Sequence, residues 1–156
     1  MGLHMDLYKK TYIGCNSIHT RPEEIIQVEV RLDGRIDPVI QPHRVSSIQE
    51  FVAYWGNAFH INQWMMDNGI PSFPDFQEMK LKKIQELVEL CKAIIKGEKD
   101  PKVYLPDFNS FLFYEGNDDE LYGEMYYYHC QKTIDMLEPL LQEPESDSVF
   151  IYTISF

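Results

Sequence analysis

Tyr54, Asn57, His60 and Trp64 are the residues whose types and spacing best suit chemistry, because they recur three or four positions apart in one stretch. Helical residues at that spacing are surface neighbours. An imidazole, a carboxamide and two amphipathic rings would then line a shallow pocket for a small ligand or a partner's side chain. Gly56 lets a ligand or another backbone approach, at about 1 kcal/mol of helix propensity relative to Ala. The competing reading is a polar network satisfied between two packed elements, with Trp64 as ordinary core.

Other chemistry has weaker signatures. His19, His43, His60 and His129 form no HxH or HExxH, and no CxxC is present. Cys15 and His19 are four apart and Cys130 adjoins His129, so a metal site with Cys91 would need tertiary coincidence; no metal and no cofactor are expected. Nucleophilic catalysis would show a GxSxG elbow, and phosphate binding a glycine-rich loop; neither occurs. Glu115, Asp118, Asp119 and Glu120 lack the alternating spacing of a calcium loop and suit a helix N-terminus instead.

The element carrying the strip is expected to be a helix over 46–69. Ser47 and Glu50 are spaced as a capping box, Gly69 sits at a left-handed stop, and Pro71 blocks continuation. Ile48, Phe51, Val52, Trp55, Phe59 and Met66 recur at helical spacing, so this helix is placed at the centre of the fold. A strand is expected over 7–13, and an alternating strand over 26–32. Asp33-Gly34 is a type I′ hairpin dipeptide, returning residues 35–40 as an edge strand that tolerates Pro38. A second helix is expected over about 77–96 with Gly97 as its stop, then a loop over 98–109 and an extended run over 110–114. A third helix should run to about Leu137, with its Tyr126-Tyr127-Tyr128 run placing at least one ring outside. An acidic linker, Glu143 to Asp147, leads to a closing strand, Val149 to Phe156, expected to pair with the N-terminal strands. The predicted architecture is one α+β domain over 1–156: an N-terminal hairpin plus C-terminal strand in a small antiparallel sheet packed by three helices. Residues 1–4 resemble a cloning remnant, and His4 is assigned no role.

With 156 residues, 44% apolar and 13% aromatic, the chain can bury a proper core. A net charge of −11 opposes nucleic-acid binding, which needs clustered Lys and Arg. Three widely spaced cysteines form no closed disulfide framework and suit a reducing cytoplasm; no signal segment or 18-residue apolar run points to secretion or a membrane.

Three stretches together resemble a group of small phage and prophage proteins. The group's helix pattern reads Tyr-Trp-Arg-Lys-Ala-Asn-x-Ile-His-x-Trp-Phe, and Tyr54, Trp55, Ala58, Ile61 and Trp64 match in register. Leu105-Pro106, the Phe-rich run Phe111 to Phe113, the acids Asp118 to Glu120, and Thr133, Ile134 and Leu137 make the second match; Phe150 to Phe156 make the third. The chain departs at Gly56-Asn57, where the pattern has Arg-Lys, and at Asn62, where it has His. The resemblance implies an accessory protein in a bacterial host cytoplasm and supplies no catalytic residue.

Taken together, these features favour a non-catalytic protein that holds a host or phage protein, or a second copy of itself, through the strip or the Tyr-rich helix. The alternative is a binding or sequestering protein for a nucleotide-like small molecule. A small hydrolase, built on His and acids, and an acidic DNA mimic rank below both.

Overall fold

The structure is a computed structural model that describes residues 2–13, 28–40, 44–68, 78–107, 122–143 and 148–155. Three long strands form its antiparallel sheet: β1 (His4–Tyr12), β4 (Ser47–Gly56) and β6 (Ser148–Ser155). A two-residue strand, β5 (Glu78–Met79), extends the edge beside β6, giving the order β4-β1-β6-β5. The remaining strands, β2 (Arg31–Leu32) and β3 (Arg35–Ile36), form a separate ribbon around Asp33-Gly34. Both turn residues have positive φ, 50° and 77°, as a type I′ turn requires. Chain ends meet as expected, because β1 lies between β4 and β6 and pairs with both along its length.

One face of the sheet carries Leu3, Met5, Leu7, Ala53, Trp55, Phe150 and Tyr152, all buried. Three helices cover it: α1 (Phe59–Asp67), α2 (Leu81–Ile95) and α3 (Glu124–Leu137). Their apolar sides, including Ile61, Leu87 and Leu137, join the same core cluster. The α+β class is the one expected from the sequence, but the hairpin expected within the sheet stands apart as the β2–β3 ribbon, and β4 takes its place beside β1. Gly97 (φ 71°) ends the α2 region as the expected left-handed stop, and Pro139 lies in a 3-10 turn, Glu138–Gln142, that follows α3.

Residues 47–56 correct the expected 46–69 helix. They form β4, and α1 begins only at Phe59. Ser47 and Glu50 are paired across a ladder with Tyr12 and Lys9, so the apparent capping box caps nothing. A bulge explains the misleading period. Leu7 faces Ala53 but Tyr8 faces Phe51, leaving Val52 as the extra residue. It interrupts the alternation of the strand and brings Phe51, Val52 and Trp55 into helical spacing.

The turn between β4 and α1 depends on Asn57. Its φ is 56°, its N–H donates to the Leu3 carbonyl (2.7 Å), and its Oδ1 accepts from the Leu3 N–H (2.9 Å). This pair of bonds fixes the residues expected as a remnant. Leu3 is in the core, and the His4 ring stacks on Tyr54 with Nδ1 2.6 Å from the Tyr54 hydroxyl. The expected helix stop at Gly69, the 110–114 run, the acids at 118–120, and Cys15, His19 and His43 lie outside the described residues.

Trp55 joins the sheet to α3. Its ring is wholly buried and its Nε1–H donates to Thr133 Oγ1 at 2.8 Å. Trp55→Ala should lower unfolding free energy by about 3–5 kcal/mol in a denaturant titration. Trp55→Phe keeps most of the packing but removes the donor, with an expected loss of about 1–3 kcal/mol. Trp64, only half-buried against the core, should cost less than Trp55 when truncated. Equal losses at the two tryptophans would contradict this division.

Candidate functional site

The four residues of the proposed strip do not share a helical face. Tyr54 projects from β4 on the side of the sheet opposite the core, where His4 and the Lys132 ammonium, 5.1 Å from the ring centroid, contact it. Asn57 is occupied by the β1 backbone in the turn. His60 and Trp64 are one turn apart in α1, but His60 turns inward and is 1% exposed. Asn62, where the phage pattern has His, accepts a hydrogen bond from the Tyr152 hydroxyl at 3.0 Å and so ties α1 to β6.

His60 instead meets residues remote in sequence. Its ring centroid is 4.3 Å from that of Tyr126 and 5.6 Å from that of His129, both on α3. Asp107 Oδ2 lies 3.7 Å from Nδ1, an ion-pair rather than a hydrogen-bond distance. Asp107 is itself placed by α3 and the turn just before it: the Tyr126 hydroxyl donates to the Leu105 carbonyl (2.8 Å), and the Asp107 N–H donates to the Tyr122 hydroxyl (3.2 Å). Cys130 is one helical turn past Tyr126, buried on the same side of α3, and Cys91 comes from the facing side of α2. Neither His60 ring nitrogen nor Asp107 Oδ1 has a hydrogen-bond partner among the described residues. Three orphaned polar atoms in one buried place are unusual and mark a functional or solvated site.

The electrostatics of this cluster diverge sharply between neighbours. Burial works against protonating His60, yet Asp107 and the Cys130 sulfur together raise its affinity for a proton above the ordinary value. His129 moves the other way, to about 4, because of burial and then the adjacent positive charges of His60 and Lys132. The Cys91 thiol first and His60 next lower Cys130 against the effect of burial, while Cys91 is raised. Tyr126 is raised by burial first and by the neighbouring sulfurs next. Two imidazoles pushed apart beside a lowered thiol form an acid–base pattern with physical content.

Among the described residues no group of three or more His, Cys, Asp or Glu side chains is arranged to hold a metal ion. No described helix is long and apolar enough to cross a membrane. No protein-family model, curated protein or solved structure matches the chain. His129, Cys130 and Cys91 stand out in the sequence by residue type, whereas no local motif marks Asp107. The available signal was the α3 pattern itself, since Tyr126, His129, Cys130 and Thr133 recur on one helical side.

A second surface is open to contact. Opposite the core, Tyr8 packs edge-on to Phe51 (centroids 5.6 Å), and Phe51 is 60% exposed. Val149, Ile151 and Thr153 of β6 share that face by register and are half-buried.

Because His129 is held neutral in the fold, it contributes stability that is fully present above its unfolded value of 6.5 and is lost as pH falls toward about 4. The unfolding free energy should therefore fall by up to about 1.4 kcal/mol per pH unit from this group over that window. Denaturant titrations at several pH values check it: His129→Gln should flatten that slope, and an unchanged slope would contradict the assignment.

Proposed function

We propose that the chain is a non-catalytic interaction protein that binds an extended segment of a partner protein along β4. The observation that carries this reading is the state of the β4 edge. Among the described residues β4 pairs with β1 alone, and Ile48, Gln49, Glu50 and Phe51 are all exposed. Protein edges are normally blunted by Lys, Pro or inward charges, because unpaired strand amides and carbonyls recruit other chains. From Ser47 to Phe51 this edge has neither Lys nor Pro, and its one charge is Glu50. The bulge at Val52 comes only after that flat stretch. Strand addition would supply main-chain hydrogen bonds, while Phe51 and Tyr8 would give side-chain contacts beside it.

Charge favours a basic partner, since the chain carries −11 overall. The setting implied by the resemblance, a phage or prophage accessory protein in a bacterial cytoplasm, makes a host or phage protein the occupant. Tyr127 and Tyr128, exposed on α3, form a secondary contact area on the helical side. A nucleotide-like ligand is the weaker reading, because Tyr54, Asn57, His60 and Trp64 are divided between strand, turn and core.

Gln49→Pro and Phe51→Lys test the proposal, since both side chains are exposed. Affinity purification from the infected or lysogenic host should recover a partner with the parent chain, and lose it at least tenfold with either variant at unchanged thermal stability. Equal recovery would move the interface elsewhere. A homodimer abolished by both variants would assign the edge to a second copy. A bound mass of a few hundred daltons in native mass spectrometry, unaffected by them, would favour the ligand reading.

A further inference from the structure

We propose that His60 and Asp107 form a pH-sensitive latch, which holds the Asp107 end of segment 105–107 against α1 while the imidazole is protonated and releases it when that proton is lost. The geometry makes this contact depend on charge. Asp107 Oδ2 lies 3.7 Å from His60 Nδ1, too far for a neutral imidazole to donate a hydrogen bond but close enough for an ion pair. The His60 side chain is 1% exposed and that of Asp107 13%. Neither His60 ring nitrogen nor Asp107 Oδ1 has a hydrogen-bond partner among the described residues, so little else compensates either charge. A carboxylate left there beside a neutral ring is a buried charge without a counter-ion, which favours its turning out to water.

The remaining bonds of the segment decide what moves. Leu105 is in the core; its N–H donates to the Pro101 carbonyl at 3.0 Å, and its carbonyl accepts from the Tyr126 hydroxyl at 2.8 Å. Past Leu105, the ties among the described residues are the Asp107 N–H on the Tyr122 hydroxyl, at 3.2 Å, and the carboxylate on His60. Opening the second leaves only the first. The Asp107 amide therefore reports the state of the latch.

The titratable groups around His60 come from three directions. From α3, Tyr126 and His129 meet its ring at 4.3 and 5.6 Å between centroids, and Cys130 follows one turn past Tyr126. Asp107 faces it from the segment, and α1 itself adds only Asp67, exposed and two turns away. Tyr126 is raised by burial and keeps its proton, while His129, lowered to about 4 by burial and then by His60 and Lys132, stays neutral. Burial opposes the imidazolium, but Asp107 and then Cys130 outweigh it, so His60 is raised above 6.5. A raised folded value means that the latch is fully closed below 6.5 and opens as pH rises through that folded value. The ratio of closed to open forms should fall by up to about tenfold per pH unit across this window.

The test follows the full chain by NMR from about pH 6 to about pH 9. The His60 ring should titrate above 6.5, and the hydrogen-exchange protection of the Asp107 amide should fall with the same midpoint. Asp107→Asn keeps the shape and the N–H but removes the charge; it should lower the His60 midpoint by about one unit or more. His60→Gln should leave Asp107 protection independent of pH, and if that variant does not fold, Asp107→Asn decides alone. A parent His60 midpoint at or below 6.5, a midpoint unmoved by Asp107→Asn, or Asp107 protection that stays constant while His60 titrates would each overturn the proposal.

Discussion

A buried indole needs an acceptor for its N–H, and most of this fold follows from how Trp55 finds one. Thr133 Oγ1 accepts that proton at 2.8 Å and donates its own to the His129 carbonyl at 2.7 Å. The chain of two bonds fixes the height of α3 against β4. It also sets which α3 residues face α1, bringing Tyr126 and His129 against His60. Tyr126 in turn holds the segment that carries Asp107. A sheet strand, through one side chain, therefore decides where the polar cluster lies. The second constraint is the Leu3–Asn57 pair, which lets β4 reverse into α1 within three residues and directs His60 inward.

The two surfaces of interest sit at opposite ends of this arrangement. The inner cluster is largely buried, with His60 1% and His129 7% exposed. The outer face is aromatic, and among the described residues the β4 edge is unpaired. Trp55 is the element between them, because β4 carries it on one face and Tyr54 and Phe51 on the other.

Much of this was legible in the sequence where a local rule governs. Asp33-Gly34 adopts the two positive φ angles of its turn, and Gly97 ends its helix region with the expected left-handed residue. The tyrosine run divides as geometry demands, Tyr126 inside and Tyr127 and Tyr128 outside. The closing strand pairs with β1. Residues 47–56 failed for an identifiable reason. Their exposed edge half and the bulge at Val52 hide a period of two, while Ile, Phe, Val, Tyr and Trp carry the strand preference that spacing outvoted. His60, Asp107 and Cys130 form a cluster only through tertiary packing, since each belongs to a different segment and none lies in a motif. The first residues resemble a cloning remnant in the sequence, whereas Leu3 and His4 are tied down by partners fifty or more positions away.

Partner binding along β4 requires that its outer edge receive an added strand. Hydrogen exchange on the purified complex measures this directly, residue by residue, by comparing amides with those of the free chain. Strand addition protects alternate amides from Ser47 to Phe51 by tenfold or more and leaves the outward side of α3 unchanged. Protection gained at Tyr127 and Tyr128 instead, with the β4 edge exchanging as it does in the free protein, would contradict it.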